Sequence, residues 1–279
     1  MSDVTVAAAL AEARLQAVER LDAQLLLART MSCTRSWLIA HDDAPLSPVQ
    51  AGAYRADLAR RAAGQPLAYI VGEKEFHGLT LQVDARVLVP RPDTETLVDW
   101  ALELLRSDFA ATTQPEVIDL GTGSGAIALA VKHACPDAQV TALDASADAL
   151  EVASANAQRL SLAVDLRQSD WWSAVGGRRF HLALSNPPYV AQHDPHLVAL
   201  THEPQLALSS GADGLTAIRQ IVAAAPEHLH AGGWLLLEHG HDQASAVQAL
   251  LAEAGFARVQ SRHDLAGIVR CSGGQRPAA

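Results

Sequence analysis

Aromatic residues are scarce in this chain, at 4% of 279 residues, although hydrophobic residues at 49% suffice for a sizeable core. Cysteine is scarcer still. Cys33, Cys135 and Cys271 are far apart, odd in number and without metal-ligand spacing. That pattern excludes a disulfide framework and points to a reducing compartment. No apolar run approaches the ~18 residues of a membrane span, and Met1-Ser2-Asp3-Val4 lacks the basic start of a secretory signal. The expectation is a soluble, cytoplasmic protein with no membrane partner. Positive charge is also short, with 21 Lys and Arg against 31 Asp and Glu, a net charge of −10. Enzymes acting on duplex DNA usually carry a basic face, so no direct nucleic-acid partner is expected. There is no internal repeat, and the only low-complexity segment is the short Gly/Pro/Ala tail, read as a disordered terminus.

The length fits one large domain plus one small one. Residues 1–75 read as a helical docking domain, with Leu10, Leu15, Val18, Leu21, Leu25 and Leu26 at helical spacing. Ser47-Pro48 opens a marked helix that stops at Gly64, with Tyr54 and Leu58 on its apolar stripe. Residues 76–92 alternate and predict a β-hairpin linker turning near Asp84-Ala85. From 93 to 279, strands and helices alternate. They predict strands at 117–120, 139–143, 164–169, 180–185, 233–238, 256–262 and 267–271, and helices at 126–133, 147–160, 214–229 and 242–254. The expected fold is α/β, a doubly wound Rossmann-like sheet with a small N-terminal helical domain. Asp93 is the expected N-cap of the helix carrying Leu97, Val98, Ala101, Leu104 and Leu105.

Asn186-Pro187-Pro188-Tyr189 follows the apolar run Leu182-Ala183-Leu184 and should sit at the C-terminal end of a buried strand, where open parallel sheets bind ligands. Two prolines stiffen the backbone and present carbonyls with few competing donors. Asn186 adds a side-chain carbonyl, and Tyr189 a flat aromatic wall with a hydroxyl. Two acceptors and a ring suit an uncharged planar –NH2 group. Such a nitrogen is a poor nucleophile, so its partner must be a strongly activated electrophile.

Val117-Ile118-Asp119-Leu120 reads as a buried strand leading into Gly121-Thr122-Gly123-Ser124-Gly125 and then a helix. Alternate glycines let a ligand approach the backbone, and the helix N-terminus offers free N–H groups. The next strand ends at Asp144, a carboxylate suited to both hydroxyls of a ribose. A dinucleotide site spaces its glycines G-x-G-x-x-G; this loop is D-x-G-x-G-x-G. That spacing resembles the first motif of class I S-adenosylmethionine methyltransferases.

With the tetrad, this loop, Arg91-Pro92-Asp93-Thr94-Glu95 and the helical N-terminal region taken together, the chain resembles the peptide-chain release factor glutamine N5-methyltransferases of the HemK/PrmC type. The likeness also covers Asp170-Trp171, Asp194-Pro195-His196 and Leu235-Leu236-Leu237-Glu238-His239-Gly240. The resemblance implies S-adenosyl-L-methionine as cofactor, S-adenosyl-L-homocysteine as product, and the glutamine of the Gly-Gly-Gln motif of bacterial class 1 release factors as acceptor. It assigns Gly121, Thr122, Gly123, Ser124, Gly125, Asp144, Trp171 and Asn186 to the cofactor. Asn186, Pro187 and Tyr189 become catalytic, and the substrate is held by these with Pro188. Asp170 could accept from the adenine amine, while Arg91 and Glu238 have no settled role. Two relatives share the tetrad: ribosomal-protein glutamine methyltransferases and N6-adenine nucleic-acid methyltransferases. The R-P-D-T-E segment favours the release-factor branch.

Other readings stay bland. Asp144 has a competing role as a helix cap, and either Trp171 or Trp172 is expected to pack in the core. His228, His230, His239 and His241 form two H-x-H pairs, but no third ligand is evident and no metal is expected. Gly273-Gly274-Gln275 repeats the family's acceptor tripeptide, which chance readily produces in a tail.

Overall fold

The structure, a computed structural model, describes residues 4–278 except for the side chains of His196 and Ala199. The histidine of Asp194-Pro195-His196 thus lies outside the described residues. Backbone contacts divide the chain into two units with a boundary between Glu73 and Lys74.

The first unit holds β1 (Val4–Thr5), α1 (Val6–Leu15), α2 (Arg20–Met31), α3 (Arg35–Ala40), β2 (Pro45–Leu46), α4 (Pro48–Ala62) and α5 (Leu67–Val71). α4 starts as its sequence dictates. Ser47 Oγ accepts from the Gln50 N–H while Gln50 Oε1 accepts from the Ser47 N–H, and Pro48 fills the first turn. The apolar face of the first two helices differs from the expected leucine stripe. Val6, Ala9, Ala13, Ala23, Leu26 and Leu27 are buried, whereas Leu15, Leu21 and Leu25 are exposed. A turn with Ala17 at φ 57° separates α1 from α2 and resets the helical phase. Alanines, invisible to a search for large apolar side chains, then carry much of the packing.

The second unit opens with a two-stranded ribbon of β3 (Glu73–Phe76) and β4 (Leu79–Gln82). Its turn lies at His77-Gly78, not at Asp84-Ala85. Both turn residues have positive φ, as tight hairpins need. Asp84 Oδ1 instead accepts from the Arg86 N–H and bends the chain out of the ribbon.

There follow α6 (Glu95–Arg106), β5 (Glu116–Leu120), α7 (Ala126–Ala134), β6 (Gln139–Asp144), α8 (Ala147–Leu160), β7 (Asp165–Gln168) and β8 (Phe180–Ser185). α9 (Thr216–His228), β9 (Leu229–Glu238), α10 (Ala244–Glu253), β10 (Ala257–His263) and β11 (Val269–Gln275) complete the unit. The main sheet has the order β10-β11-β9-β8-β5-β6-β7. Strands β5 to β9 run parallel, and β11 and β10 are antiparallel to their neighbours. Alternation within strands divides the core. Val117, Leu182, Leu184 and Leu236 pack with α6 and α7, while Ile118, Ala183, Leu235 and Leu237 pack with α9 and α10. Helices cover both faces, so these strands are apolar on both sides.

The tail is not a loose end. Gly273-Gly274-Gln275 lies inside β11, between β10 and β9. A Cβ on Gly273 would come within 2.5 Å of a Leu236 methyl and 2.7 Å of the Leu235 carbonyl oxygen, so glycine is there for close packing. Gln275 pairs with Trp234, four residues back from Glu238, and its Nε2 donates to the Gly232 carbonyl at 2.9 Å. Four strand residues span about 13 Å. Gln275 therefore lies far from the strand end that carries Glu238.

Candidate active site

Strand order reverses between β5 and β8, since the chain moves outward through β6 and β7 before returning to β8 and β9. A cleft of about 390 Å³ lies at the C-terminal strand ends there, as open α/β sheets require. Gly121, Thr122, Gly123, Ser124, Asp144, Trp171, Asn186 and Pro188 line it, together with Arg91 and Asp170. Gly125, Pro187 and Tyr189 do not.

The glycine loop is held from below and from the side. The Gly121 and Thr122 N–H groups both donate to the Leu143 carbonyl at 2.8 Å. Thr122 Oγ1 donates to Asp119 Oδ2 at 2.6 Å, and the Gly123 N–H donates to Asp144 Oδ2 at 2.8 Å. Gly125, at φ 84°, starts α7 from the left-handed region that glycine favours. Asp144 is not the cap of α8: Ser146 is, its Oγ accepting from the Ala149 N–H. Asp144 Oδ1 accepts from the Ser146 N–H instead. Each of its oxygens keeps a further lone pair for a ligand hydroxyl. Burial pushes its pKa up, opposed by the backbone N–H groups of Ser146, Gly123 and Ala145.

The two adjacent tryptophans part. Trp171, at φ 46°, lies with its ring 3.5 Å from where a Gly121 Cβ would sit, and its Nε1 donates to Gln220 Oε1 at 2.9 Å. Trp172 is buried, donates to the Ile221 carbonyl and stacks on His228. A strand-end carboxylate, an indole wall and close backbone approach at one cleft fit a nucleoside-bearing cofactor.

The tetrad is fixed by its surroundings. Ser185 Oγ donates to the Leu120 carbonyl at 2.6 Å, tying β8 to β5 just before Asn186. Gln243 Nε2 donates to the Tyr189 carbonyl at 3.0 Å. Gly214 packs so closely that a Cβ there would meet the Tyr189 carbonyl oxygen at 2.2 Å. Asn186 is half-buried, and its Nδ2 donates to Thr94 Oγ1 at 3.1 Å. Tyr189 differs from the expected cleft wall. Its ring packs on the α9 and α10 side of the core, and its hydroxyl donates to Glu238 Oε1 at 3.2 Å.

Two carboxyls beneath the site are fully buried. Burial raises the pKa of Asp119 to about 7, opposed chiefly by the Thr122 hydroxyl. Burial also raises Glu238 to about 7, opposed by the hydroxyls of Thr94 and Tyr189. Arg91 is committed to Glu203, Nη2 to Oε1 at 2.5 Å, while Glu203 Oε2 accepts from the Val89 N–H. Asp93 caps nothing; it faces Arg270 Nε at 3.4 Å.

Comparison with known proteins agrees with this geometry. Residues 94–210 match the methyltransferase small domain family, and residues 6–72 match the PrmC N-terminal domain. A release factor glutamine methyltransferase of Bordetella pertussis is 48% identical, covering 91% of this chain and 94% of that one. Proteins of the same name from Burkholderia pseudomallei and Xylella fastidiosa are 49% and 46% identical. They cover 95% and 96% of this chain, and 94% and 98% of their own lengths. The chain belongs to the release factor glutamine methyltransferases.

Solved structures show the fold shared more widely. A Pyrococcus furiosus methyltransferase has a TM-score of 0.53 at 19% identity, covering 72% of this chain and 90% of its own. A T. thermophilus 16S rRNA methyltransferase, in complex with AdoMet and guanosine, has a TM-score of 0.54 at 18% identity. It covers 73% of this chain and 49% of its own. The doubly wound sheet expected from the strand and helix pattern is therefore the observed one, and it is a methyltransferase fold, as the resemblance implied.

Several residues of this methyltransferase's site escaped sequence reading. Thr94 lies inside the R-P-D-T-E segment but carried no signal of contact with Asn186, 92 positions away. Glu203, Gln220 and Gln243 had no local signal at all. The H-x-H pairs dissolve. His239 is buried between Gly240 and Ser272, and His230 meets partners that its linear spacing does not reveal. Glu116, His181 and His230 gather at the opposite edge of the sheet with potential ligand atoms within 4.8 Å of one another. They already satisfy each other: His181 Nδ1 accepts from the Glu116 N–H, and His230 Nε2 lies 3.1 Å from Glu116 Oε2. With Nδ1 accepting, the neutral His181 ring carries its proton on Nε2 and offers no free lone pair to a metal.

Proposed function

We propose that this methyltransferase uses S-adenosyl-L-methionine to methylate the side-chain amide nitrogen, N5, of the glutamine in the Gly-Gly-Gln motif of bacterial class 1 release factors. The reaction belongs to the cytoplasm, where those factors work. The observation that carries this reading is the position of Asn186. It stands in the wall of the cleft that holds Gly121 to Ser124 and Asp144, with its amide nitrogen donating to Thr94 and its carbonyl oxygen therefore turned the other way. The names of the relatives supply the acceptor protein.

When bound, the cofactor would supply a methyl group already activated on a sulfonium, with S-adenosyl-L-homocysteine as the product. Gly121, Thr122, Gly123, Ser124 and Gly125 would form its loop, Asp144 would take its ribose hydroxyls, and Trp171, beside Asp170, would flank its base. Asn186 Oδ1 and the Pro187 carbonyl accept the two hydrogens of the substrate amide. That fixes the amide plane and turns the nitrogen's electron pair out of it. Pro188 keeps this acceptor corner stiff. Tyr189 holds the corner through its ring packing and through Glu238, an indirect part in catalysis. Positioning of the amide supplies most of the acceleration. Acceptors aimed at the hydrogens of a nitrogen that gains positive charge supply much of the rest. The methylated nitrogen is strongly acidic and loses its proton to water without a dedicated base.

The test offers labelled S-adenosyl-L-methionine to purified release factor, release factor lacking the Gly-Gly-Gln glutamine, ribosomes and DNA in parallel. Label on the intact release factor alone is the expected outcome. Label that persists without the glutamine, or that goes to ribosomes or DNA, would sink the reading.

A further inference from the structure

A hydroxyl can either give or take a hydrogen bond, so Thr94 by itself does not decide which way the Asn186 amide faces. With the Thr94 proton uncommitted, the hydroxyl accepts from Asn186 Nδ2 or donates to Asn186 Oδ1 with similar ease. In the second arrangement the carbonyl oxygen is consumed and the amide presents a donor to the cleft. A site for an –NH2 group would then repel its substrate.

Beyond Thr94 lies Glu238, at the C-terminal end of β9 and 1% exposed. Its Oε1 accepts from the Tyr189 hydroxyl, whereas its Oε2 is buried without a hydrogen-bond partner. A carboxylate accepts and cannot donate. An orphan acceptor in a buried site is costly, which draws in the nearest available proton. The Thr94 hydroxyl adjoins this carboxyl: it is one of the two hydroxyls, with that of Tyr189, that favour the charged form of Glu238.

We propose that Glu238 is a positioning residue for methyl transfer: its ionised carboxylate accepts the hydrogen bond of the Thr94 hydroxyl, so that Thr94 can only accept from Asn186 and the Asn186 carbonyl must face the substrate amide. The same carboxylate accepts the hydrogen bond of the Tyr189 hydroxyl, so one buried group orients both ends of the tetrad. This rests on the reading above, in which Asn186 holds the substrate. A neutral partner such as glutamine, able to donate as well as accept, would not impose a direction on the chain of bonds. The groups facing Glu238 are Thr94 and Asp93 at the start of α6, Tyr189 after β8, and Arg270 and Cys271 on β11.

The experiment compares kcat, KM for release factor and S-adenosyl-L-methionine affinity in Thr94→Val, Thr94→Ser, Glu238→Gln and Asn186→Ala. Thr94→Val keeps the shape and loses the relay; Thr94→Ser restores it. The expected result is a kcat at least about tenfold lower for Thr94→Val and Glu238→Gln, as loss of an oriented contact made at the reacting group predicts. Cofactor affinity should stay within about threefold, and Thr94→Ser should recover kcat to within about threefold of the parent. If Asn186→Ala abolishes transfer but Thr94→Val and Glu238→Gln keep full kcat, Asn186 holds the substrate and the relay is wrong. Failure of Thr94→Ser to recover activity also overturns the relay, because the hydroxyl would then not be the active element. If Asn186→Ala retains full activity, the reading of the tetrad falls, and the relay with it. Thermal melts of all four variants identify any loss that reflects unfolding.

Discussion

Asp119 and Glu238 stand at the ends of β5 and β9 and share an unusual condition. Both are fully buried, both are pushed up to about 7 by burial, and each has one oxygen without a hydrogen-bond partner. They differ in what rests on them. Asp119 accepts from Thr122 and so supports the glycine loop, whereas Glu238 accepts from Tyr189 and adjoins Thr94, supporting the tetrad. A buried carboxyl of this kind is retained against a desolvation cost. Here each one underpins a different half of the cleft. In the proposed reaction the halves have separable duties: one binds the cofactor, the other orients the acceptor.

That separation can be broken from either side. The largest effect is expected for Asn186→Ala, which removes a direct acceptor: turnover on release factor should fall at least about a hundredfold. Quenched-flow measurement of a single turnover would read the loss. A fall of less than about threefold would place the amide elsewhere. On the other half, Asp119→Asn should weaken S-adenosyl-L-methionine binding by about tenfold, the size of one charged hydrogen bond. Its turnover at saturating cofactor should change little. Equal damage to affinity and turnover would erase the distinction between the two carboxyls.

The smallest effect concerns stability. The buried Glu238 keeps its proton up to about pH 7, while the same group in an unfolded chain releases it near pH 4. Its contribution to stability is therefore complete below about pH 4 and is lost as pH rises through about 7. Asp119 behaves alike. Each is worth on the order of 3 kcal/mol over that range. Glu238→Gln should thus show a smaller fall in Tm than the parent between pH 5 and pH 8.5, by a few degrees. Parallel melting curves in the two proteins would refute this.

Much of this was legible in the sequence, and the misses have a common cause. The strand and helix pattern from Val117 to Phe256 was readable because most of its elements bury an apolar face. Asn186, Asp144 and the glycine loop were readable because each sits at a strand end, where an open sheet binds ligands. The ribbon turn was misplaced because the apolar alternation of Leu79, Leu81, Val83, Val87 and Val89 continues past Asp84-Ala85, whereas the true turn at His77-Gly78 precedes it. The first two helices were misread because alanine, not leucine, covers much of their buried face. Gly273-Gly274 looked like a disordered tail because glycine signals both a loop and close packing, and only the neighbours Leu236 and Phe256 decide between them. The supports of the site were hidden for another reason. Thr94, Glu203 and Glu238 act on partners 49 to 114 residues away, and no local pattern encodes such contacts.

Calorimetric titration of S-adenosyl-L-methionine into Asn186→Ala tests the division of labour most directly. A dissociation constant within about threefold of the parent, in a variant that has lost methyl transfer, is the expected result. A constant weakened tenfold or more would contradict it, because Asn186 would then belong to the cofactor's half of the cleft.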